Sequence, residues 1–410
     1  MSGGRPHVLH LARNFPNRVT PTLGLWTRRL VAVSRGAADP TVIAPVPYVP
    51  PLVPVESYAR FRRVERREKD GEVDVHHPRV PTGPGRLLHR FEASLGLLPI
   101  LWVADHIHRR RPVDLIHAHF IYPEGVIAAR LGKRYGVPVV STEHAAWLPW
   151  LANDRAVRAQ VFRALPAVDL LLPVSRWLER NIREAAGDRA RTEVVYNVLD
   201  EDAFSEPSPG ERWDAEQILF VGLVRHVKGL DILVRALARL AGARPSLRLL
   251  VLGAAYYRSY QRDYEDVRRL VEELGLGPHV RFGGEASPTE VAAAMRRSAL
   301  LVVPSRRESF SAVTVEALAS GTPVVATRCG GPEEILTPET GRLVPPEDPE
   351  ALAAAIDSVL ADRPSFDPAA MRAQVLARFG PKAIAARLAE VYEQVLRSPV
   401  ARLDTAGTRR

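Results

Sequence analysis

Short apolar runs alternate with helical patterns along this chain, and the alternation occurs twice. In the first half, buried strands are predicted at His7–Leu11, Thr41–Ala44, Leu115–His119, Val137–Thr142 and Leu170–Val174, and a helix at Gly125–Tyr135. In the second half, strands are predicted at Ile218–Val221, Leu247–Leu252, Val280–Phe282, Leu300–Val303, Pro323–Ala326 and Leu343–Val344, and helices at Leu230–Leu240, Tyr264–Leu274 and Pro288–Arg297. Because parallel strands need a crossover connection, each series predicts a doubly wound parallel sheet covered on both faces.

The segments between and after these series set the expected domain boundaries. Prolines of Pro45–Pro54 lack amide donors, so this segment cannot be a regular helix or a central strand, and we expect an irregular stretch to about Arg90. Asp202–Trp213 is predicted to be a linker. An amphipathic helix is predicted over Ala383–Leu396, and a frayed polar tail follows it.

Composition narrows the class of protein. The 410 residues are 46% hydrophobic and 25% charged, which is ordinary for a globular protein with two cores. The single cysteine, Cys329, excludes a disulfide framework and favours a reducing, cytoplasmic location. The start resembles no signal peptide, and the apolar run Leu95–Ile107 is about half the length that spans a bilayer.

The net charge of +9 comes mainly from arginine, as in the cluster Arg60–Lys69. No recognition module or aromatic platform accompanies the arginines, so nucleic-acid binding is not expected. A solvated basic surface, an anionic ligand and peripheral contact with the inner face of a membrane all fit this charge. The G-x-G-x-x-G and P-loop motifs are absent, and the D-x-D string Asp200–Asp202 lies at the start of the linker.

Phe220–Gly229 (FVGLVRHVKG) is a strand end, a basic turn and a helix start. Arg225 and Lys228 are therefore expected beyond the carboxyl end of a strand and beside a helix N-terminus. Fixed cations and backbone amides at this position suit a diphosphate ligand. The same sequence is also compatible with a solvated basic loop that binds no ligand.

Ser305–Leu318 (SRRESFSAVTVEAL) carries glutamates at 308 and 316, at the mouth of a predicted helix and two turns inside it. Ser309 or Ser311 is expected to cap the helix. Eight helical residues span about 12 Å, so the two carboxylates cannot share one metal or one proton. They can hold two separated parts of one long ligand; otherwise they are a capping and a surface glutamate.

These strings together resemble the retaining glycosyltransferases of family four. The resemblance rests on FVG…R…KG, on PS-x-x-E-S-F-x-x-x-x-x-E-A-x-A-x-G-T-P-V-V-A and on GG-x-x-E-I, and in the first half on Pro21–Val31, Asp114–Gly125, Thr142–Trp147 and Tyr196–Phe204. It implies a GT-B fold, with two Rossmann-like doubly wound parallel-sheet domains facing a central cleft. The implied parts are an acceptor domain over 1–203, a nucleotide-sugar domain over 204–380, a helix over 381–398 that crosses back to the first domain, and a tail over 399–410.

The resemblance also implies roles for individual residues. Glu308 matches the glutamate placed against the transferred hexose, and Glu316 the one that binds the ribose hydroxyls. Lys228, with Arg225, would neutralise the leaving diphosphate, and His144 matches the histidine near the reacting centre. The remaining positions implied to meet the donor through backbone amides or close approach are Gly24, Gly222, Phe310 and Ser311.

Two positions depart from the family pattern. Leu223 stands where the family commonly has an arginine, so Arg225 is the expected substitute. Gly253 is followed by AAYYRSY rather than by a glycine-rich turn.

The implied activity is transfer of a hexose from a nucleoside-diphosphate sugar, with UDP favoured over GDP, to a glycan, a lipid-linked acceptor or a small molecule. The resemblance implies retention of anomeric configuration, and no metal or cofactor. One alternative is a catalytically silent sugar-nucleotide-binding protein. A second is a metal-dependent hydrolase using His117 and His119, which point to the same face of a strand.

Overall fold

The computed structural model describes residues 4–49, 56–83, 88–145, 154–208, 210–253 and 258–398. The chain divides into two compact units, of which one comprises Met1–Asn197 with Ile384–Arg410 and the other Val198–Ala383. The division precedes the boundary predicted after residue 203, because the intervening turn packs on the second unit. There Leu199 N donates to Phe379 O at 2.8 Å. The predicted tail over 399–410 lies outside the described residues.

The first unit contains a mixed sheet and a small additional one. Its strands in chain order are β1 His7–Leu11, β2 Asp39–Ile43, β3 Val46–Tyr48, β4 Arg67–Asp70, β5 Val73–His76, β6 Arg79–Pro81, β7 Leu115–His119, β8 Val139–Glu143 and β9 Leu170–Pro173. The main sheet has the order β4-β5-β2-β1-β7-β8-β9, and its neighbouring strands are parallel except at the β4–β5 edge. Strands β3 and β6 pair with each other.

Six α-helices are described in the Met1–Asn197 part of the first unit. They are α1 Leu25–Ser34, α2 Glu56–Ala59, α3 Glu92–Arg110, α4 Val126–Tyr135, α5 Arg155–Ala164 and α6 Arg176–Ala186. Among the helices that the structure describes, none combines the length and the apolar character needed to cross a membrane.

The second unit has a fully parallel sheet of order β12-β11-β10-β13-β14-β15. Its strands are β10 Asp214–Val221, β11 Arg248–Leu252, β12 Val280–Gly284, β13 Ser298–Val303, β14 Val324–Thr327 and β15 Gly341–Val344. Its helices are α7 Leu230–Leu240, α8 Arg258–Glu273, α9 Pro288–Arg297, α10 Ala312–Ala319, α11 Pro332–Ile335, α12 Pro349–Asp362 and α13 Pro368–Phe379. The last helix, α14 Pro381–Arg397, belongs to the first unit from Ile384 onward.

The predicted irregular stretch between Pro45 and Arg90 is wrong in part, since β3 to β6 lie within it. In Val73–His76 the side chains alternate between buried and half-buried positions, which is the period of a strand. Two prolines of the segment, Pro47 and Pro81, sit in the two-stranded β3–β6 sheet, where each strand has one partner among the described residues.

Strand order places one switch point in each unit. Strand β1 lies between β2 and β7, and β10 lies between β11 and β13, so the chain leaves these strands in opposite directions. Ligands of open parallel sheets bind beyond the carboxyl ends of such strands. Ligand-binding sites are therefore expected at the loops after β1 and β7 in the first unit and at the loops after β10 and β13 in the second.

Candidate functional site

Lys228 and Glu308 meet at the switch point of the second unit. Lys228 lies in the turn after β10 and Glu308 in the loop after β13. The Lys228 Nζ donates to Glu308 Oε1 at 2.6 Å, and the Ser305 hydroxyl donates to the same oxygen at 2.8 Å. Glu308 is 8% exposed, whereas the Lys228 side chain is 29% exposed. The ammonium group is therefore both fixed and accessible to a ligand.

Backbone contacts hold these loops together. Arg306 N donates to Val227 O, and Glu308 N to Cys329 O, both at 2.8 Å. Gly331 N returns a hydrogen bond to Glu308 O at 2.9 Å. A Cβ on Gly331 would lie 2.0 Å from Phe310 O, so this approach requires glycine. Glu308 is thus positioned by main-chain pairing on both sides.

Arg306 clamps the same loops through its side chain. Its guanidinium donates to both carboxylate oxygens of Asp231 at 2.8 Å and also bonds Glu347 and His226 O. The hydrogen bonds that Arg306 donates to Asp231 are the main reason why the pKa of Arg306 is raised. Its charge is committed to carboxylates, so Arg306 is a structural clamp for the turn that carries Lys228.

The helix after Glu308 begins where one of the two predicted caps places it. Helix α10 starts at Ala312, so Glu308 lies outside it and Glu316 lies half-buried in its second turn. Ser311 is the N-cap residue, as predicted, but its side chain does not cap a backbone amide: the residue has a left-handed backbone (φ 74°), and its hydroxyl bonds Thr314 Oγ1 at 2.8 Å. Phe310 is buried and packs edge-on against Phe379.

Arg225 contacts a different element from Lys228. Its guanidinium lies 4.5 Å from the ring centroid of Tyr260, on α8. Among the described residues, Arg225 therefore contacts α8 and is not seen to contact Lys228 or Glu308. The backbone reason is the extended conformation of Arg225, after which the chain turns from His226 to Lys228 and His226 N bonds Asp263.

Gly222 and Leu223 follow β10 directly. Gly222 packs so closely against Gly253 that a Cβ on the latter would lie 1.8 Å from Gly222 O. This contact explains why glycine follows β11. Leu223 is half-buried at the position where the family commonly has arginine. Residues 254–257, which begin the AAYYRSY string, lie outside the described residues.

Gly24 forms the entry to helix α1 in the first unit. Its φ is 76°, and a Cβ there would lie 2.0 Å from Asn14 O. Only glycine permits this approach of the loop after β1 to the helix start. The neighbouring Trp26 ring lies 6.1 Å from the His144 ring, so the Gly24 loop and His144 occupy the same end of the sheet.

His144 follows β8 and is held by its backbone. The amides of His144 and Ala145 both donate to Glu143 Oε1, at 2.9 and 2.8 Å, and Ile121 N donates to Glu143 Oε2. Burial lowers the pKa of His144 to about 3, against the opposing effect of a hydrogen bond with the Asn197 side chain. The imidazole is therefore neutral near pH 7 and a weak proton acceptor. Trp147, from the same predicted motif, lies outside the described residues.

His117 and His119 do share a face, together with His10 of the adjacent strand. The three rings are buried, and the His117 and His119 rings stack at 4.7 Å. Both His117 nitrogens are engaged, at 2.7 Å from Tyr392 Oη and from Thr142 Oγ1. His10 Nδ1 lies 3.1 Å from His119 Nε2. Although a potential ligand atom on each ring lies within 4.8 Å of the others, a metal would have to displace partners of His117.

Several supporting residues were missed from the sequence. Ser305 and Arg306 stand in the motif around Glu308, but only the fold shows what they hold. In the first unit, Arg13 bonds Glu92 and Glu124 from the loop after β1. Glu124 belongs to the P-E-G turn after β7, and that turn was the available sequence signal.

Two protein-family models together match most of the chain. The model described as "Glycosyl transferases group 1" matches residues 202–375, and "Glycosyltransferase Family 4" matches residues 55–203. The chain is 32% identical over 356 residues to "D-inositol 3-phosphate glycosyltransferase 1" of Catenulispora acidiphila, covering 80% of this chain and 82% of that protein.

Solved structures share the fold. Sucrose-phosphate synthase of Thermosynechococcus elongatus superposes with a TM-score of 0.78 at 23% identity, over 95% of this chain and 99% of that one. Anabaena HepE in complex with UDP-glucose gives a TM-score of 0.70 at 20% identity, over 95% and 99% of the two chains. The predicted GT-B fold is confirmed. The chain belongs to glycosyltransferase family four.

Proposed function

We propose that this protein is a retaining glycosyltransferase that moves a hexose from a nucleoside-diphosphate sugar to a hydroxyl of a glycan, a lipid-linked acceptor or a small molecule. The observation that carries the proposal is the Lys228–Glu308 pair at the switch point of the second unit. It supplies one accessible cation and one buried carboxylate, held by paired loops.

The leaving diphosphate gains negative charge on its β-phosphate oxygen as the anomeric bond breaks. Lys228 would stabilise that charge, and the N-terminus of α10 would add backbone amides. No metal is needed for this role. Glu308 would accept hydrogen bonds from the hexose, and Glu316 from the ribose.

UDP is the favoured nucleotide. The supporting observation is that a protein with the same fold, Anabaena HepE, has a solved complex with UDP-glucose. GDP is the competing nucleotide.

His144 would orient the donor sugar as a neutral hydrogen-bonding group. A histidine whose pKa is lowered to about 3 is a poor general base at neutral pH. We therefore propose front-face substitution, in which the departing phosphate takes the proton of the acceptor hydroxyl. Retention of configuration follows from this mechanism.

A silent sugar-nucleotide-binding protein is the second candidate, and the retained Lys228 and Glu308 favour an enzyme over it. Membership of a glycosyltransferase family gives no support to a metal-dependent hydrolase at His117 and His119.

The test is donor binding followed by turnover. Isothermal titration with UDP, GDP and UDP-glucose is expected to show UDP binding in excess chelator. Incubation of UDP-glucose with a mixed acceptor panel should then release UDP, and nuclear magnetic resonance should show an α-linked product. No binding of any nucleoside diphosphate would reject the donor site, and binding without turnover would favour the silent protein.

We also propose that the first unit contacts an anionic membrane surface through one face of α3. Phe91, Leu98 and Trp102 are 51%, 73% and 71% exposed. Leu98 and Trp102 lie four residues apart on α3, so they share a face, and the exposed Arg109 continues it seven residues later. Phe91 immediately precedes the helix. Asp105 lies on the same face but is paired with Arg134. Exposed apolar side chains beside arginine suit anionic lipid headgroups.

A further inference from the structure

A pocket of 220 Å³ lies at the switch point of the first unit. Arg13 enters it from the loop after β1, and Glu124 from the turn after β7, the two strands between which the chain order reverses. The volume is below the ~300 Å³ at which pockets for drug-sized ligands begin, so a single ring is the fitting occupant. None of the residues assigned above to donor binding lines this pocket.

Most of the pocket wall is apolar. Proline and aliphatic side chains come from the β3–β6 sheet and from helices α3 and α4; among them are Val46, Pro47, Val80, Pro81, Ile100 and Ile127. Tyr58 adds one aromatic ring. Such a wall packs against C–H groups and offers nothing to a charged substituent.

The polar side of the pocket is a three-residue ionic cluster. Arg13 Nη1 donates to Glu92 Oε2 at 3.0 Å, and Arg13 Nε to Glu124 Oε1 at 3.2 Å. The Arg13 side chain is 40% exposed and that of Glu92 24%, whereas Glu124 is 2% exposed. Arg13 is thus matched by two carboxylates, of which Glu92 Oε2 also lies 3.2 Å from His89 Nδ1. His89 does not line the pocket, so among the lining residues the cluster carries no surplus positive charge.

The ionisation of Glu124 supports this balance. Burial raises its pKa to about 7, although Arg13 opposes the shift. Near neutral pH the cluster therefore carries a charge between zero and minus one. Among the described lining residues Arg13 is the only arginine or lysine, so an incoming phosphate would find no unengaged cation.

We infer that this pocket holds the acceptor as an unphosphorylated polyhydroxylated ring, such as a cyclitol or a monosaccharide. Hydroxyl groups would exchange hydrogen bonds with Arg13, Glu92 and Glu124, while the C–H face of the ring packs on the apolar wall. The assignment rests on the proposed glycosyltransferase function. The proposed acceptor of this chain therefore differs from that of its relative in Catenulispora acidiphila, whose name specifies a phosphorylated inositol.

The test compares myo-inositol with inositol 3-phosphate, and glucose with glucose 6-phosphate, at a fixed concentration of UDP-glucose. We expect the unphosphorylated member of at least one pair to bind more tightly and to raise UDP release at least tenfold over its phosphorylated partner. Binding of each ring is also titrated without donor, which gives a readout independent of turnover. Preference for the phosphorylated member in both pairs, or no binding of any ring, would overturn the assignment.

A variant ties the preference to the ionic cluster. Glu92→Gln frees Arg13 from one carboxylate, so the preference for the unphosphorylated ring is expected to fall at least tenfold. Glu65→Gln, at an exposed glutamate of the same unit, is the matched control and should not change the preference. An unchanged preference in a Glu92→Gln protein that still binds UDP would overturn the role of the cluster.

UDP titration on the same samples keeps the two proposals distinguishable. UDP binding and donor turnover without the expected ring preference would refute the acceptor assignment and leave the proposed function standing. Failure to bind any nucleoside diphosphate would refute the proposed function, and the acceptor assignment with it.

Discussion

Lys228 and Glu308 are 80 residues apart in the chain, and their charged atoms lie 2.6 Å apart. The carboxylate is nearly buried, whereas the ammonium group keeps access to solvent. A diphosphate arriving at the ammonium would therefore compete with Glu308 for its hydrogen bonds. The pair can hold the lysine ready when no ligand is bound and release it partly when the donor arrives.

Replacing Lys228 with methionine is expected to lower kcat on the order of 10²–10³-fold, because the charge that would stabilise the leaving phosphate is lost. Lys133→Met removes an exposed lysine of the first unit and should leave turnover unchanged. The variant also leaves Glu308 without its counter-charge, so its stability should fall.

The double variant Lys228→Met/Glu308→Gln separates these two effects. It should recover part of the lost stability, measured by urea unfolding, without recovering turnover. Normal turnover in the single variant would show that Lys228 is not part of the catalytic machinery.

The two glutamates should differ in what they change. Glu316→Ala is expected chiefly to weaken UDP binding, by about tenfold or more, since a carboxylate paired with hydroxyls contributes roughly 1.5–3 kcal/mol. Glu308→Ala should chiefly lower kcat. Titration and steady-state kinetics measure the two quantities, with Glu272→Ala as an exposed control. Equal effects of both changes on both quantities would contradict the division of roles.

Gly24→Ala should destabilise the first unit by several kcal/mol, because a left-handed backbone and an overlap with Asn14 O act together. Gly136 is the matched control: its φ is 69°, but a Cβ there meets nothing within 4 Å. Gly136→Ala should cost only the backbone strain, about 1–3 kcal/mol. Urea unfolding of the two variants measures the difference, and equal losses would show that the close approach is unimportant.

Acidification should destabilise the first unit below pH 6.5. Burial lowers the pKa of His10 to about 3 and also lowers the pKa values of His117 and His119. At a pH between a histidine's folded and unfolded pKa values, the imidazole is protonated in the unfolded chain and neutral in the folded protein. Each histidine then costs up to about 1.4 kcal/mol per pH unit as pH falls.

Glu124 acts in the opposite direction. Its pKa is raised from 4.5 to about 7, so the stability that it contributes is present below pH 4.5 and is lost as pH rises through 7. Three histidines outweigh one carboxyl group between pH 6.5 and 5. Hydrogen exchange of the Leu115–His119 strand at several pH values measures the net result; constant or increasing protection on acidification would contradict it.

Membrane contact is tested by co-sedimentation with vesicles of phosphatidylcholine, with and without phosphatidylglycerol. Binding should need the anionic lipid, and Leu98→Ser/Trp102→Ser should weaken it at least tenfold, because each buried CH₂ contributes about 0.8 kcal/mol. Leu274→Ser changes an exposed leucine of the second unit and serves as the control. Equal binding of both variants would place any contact elsewhere.

Much of the fold followed from apolar runs. The strands β1 and β7 and the helices α7 and α9 have the predicted bounds, since long buried elements leave a strong periodic pattern. Helix α9 shows why its start was predictable: Ser287 and Glu290 form a reciprocal capping box before a proline at the first turn. The β4–β5 hairpin was missed because the alternation of apolar and polar residues in β5 is only four residues long and lies in a segment that the preceding prolines suggested was irregular.

The site was predictable as a set of residues and less so as a set of contacts. Glu308 and Lys228 stand in motifs, but their direct pairing depends on two loops that follow neighbouring strands of distant sequence. The contact of Arg225 was also not predictable, because its partner Tyr260 lies on α8, beyond the next strand of the chain. Arg13 was missed because it stands in no motif, and only the β1–β7 pairing brings it to Glu124 of the P-E-G turn.

The contact between His117 and Tyr392 bears on how the chain folds during synthesis. The Tyr392 hydroxyl reaches an imidazole buried in the sheet of the first unit, 275 residues upstream. The second unit ends at Ala383, so all of its residues are synthesised before Tyr392. The unit that begins the chain is therefore the one that is finished last, and a chain truncated before residue 392 would keep every residue of the second unit while the first lacks part of its core.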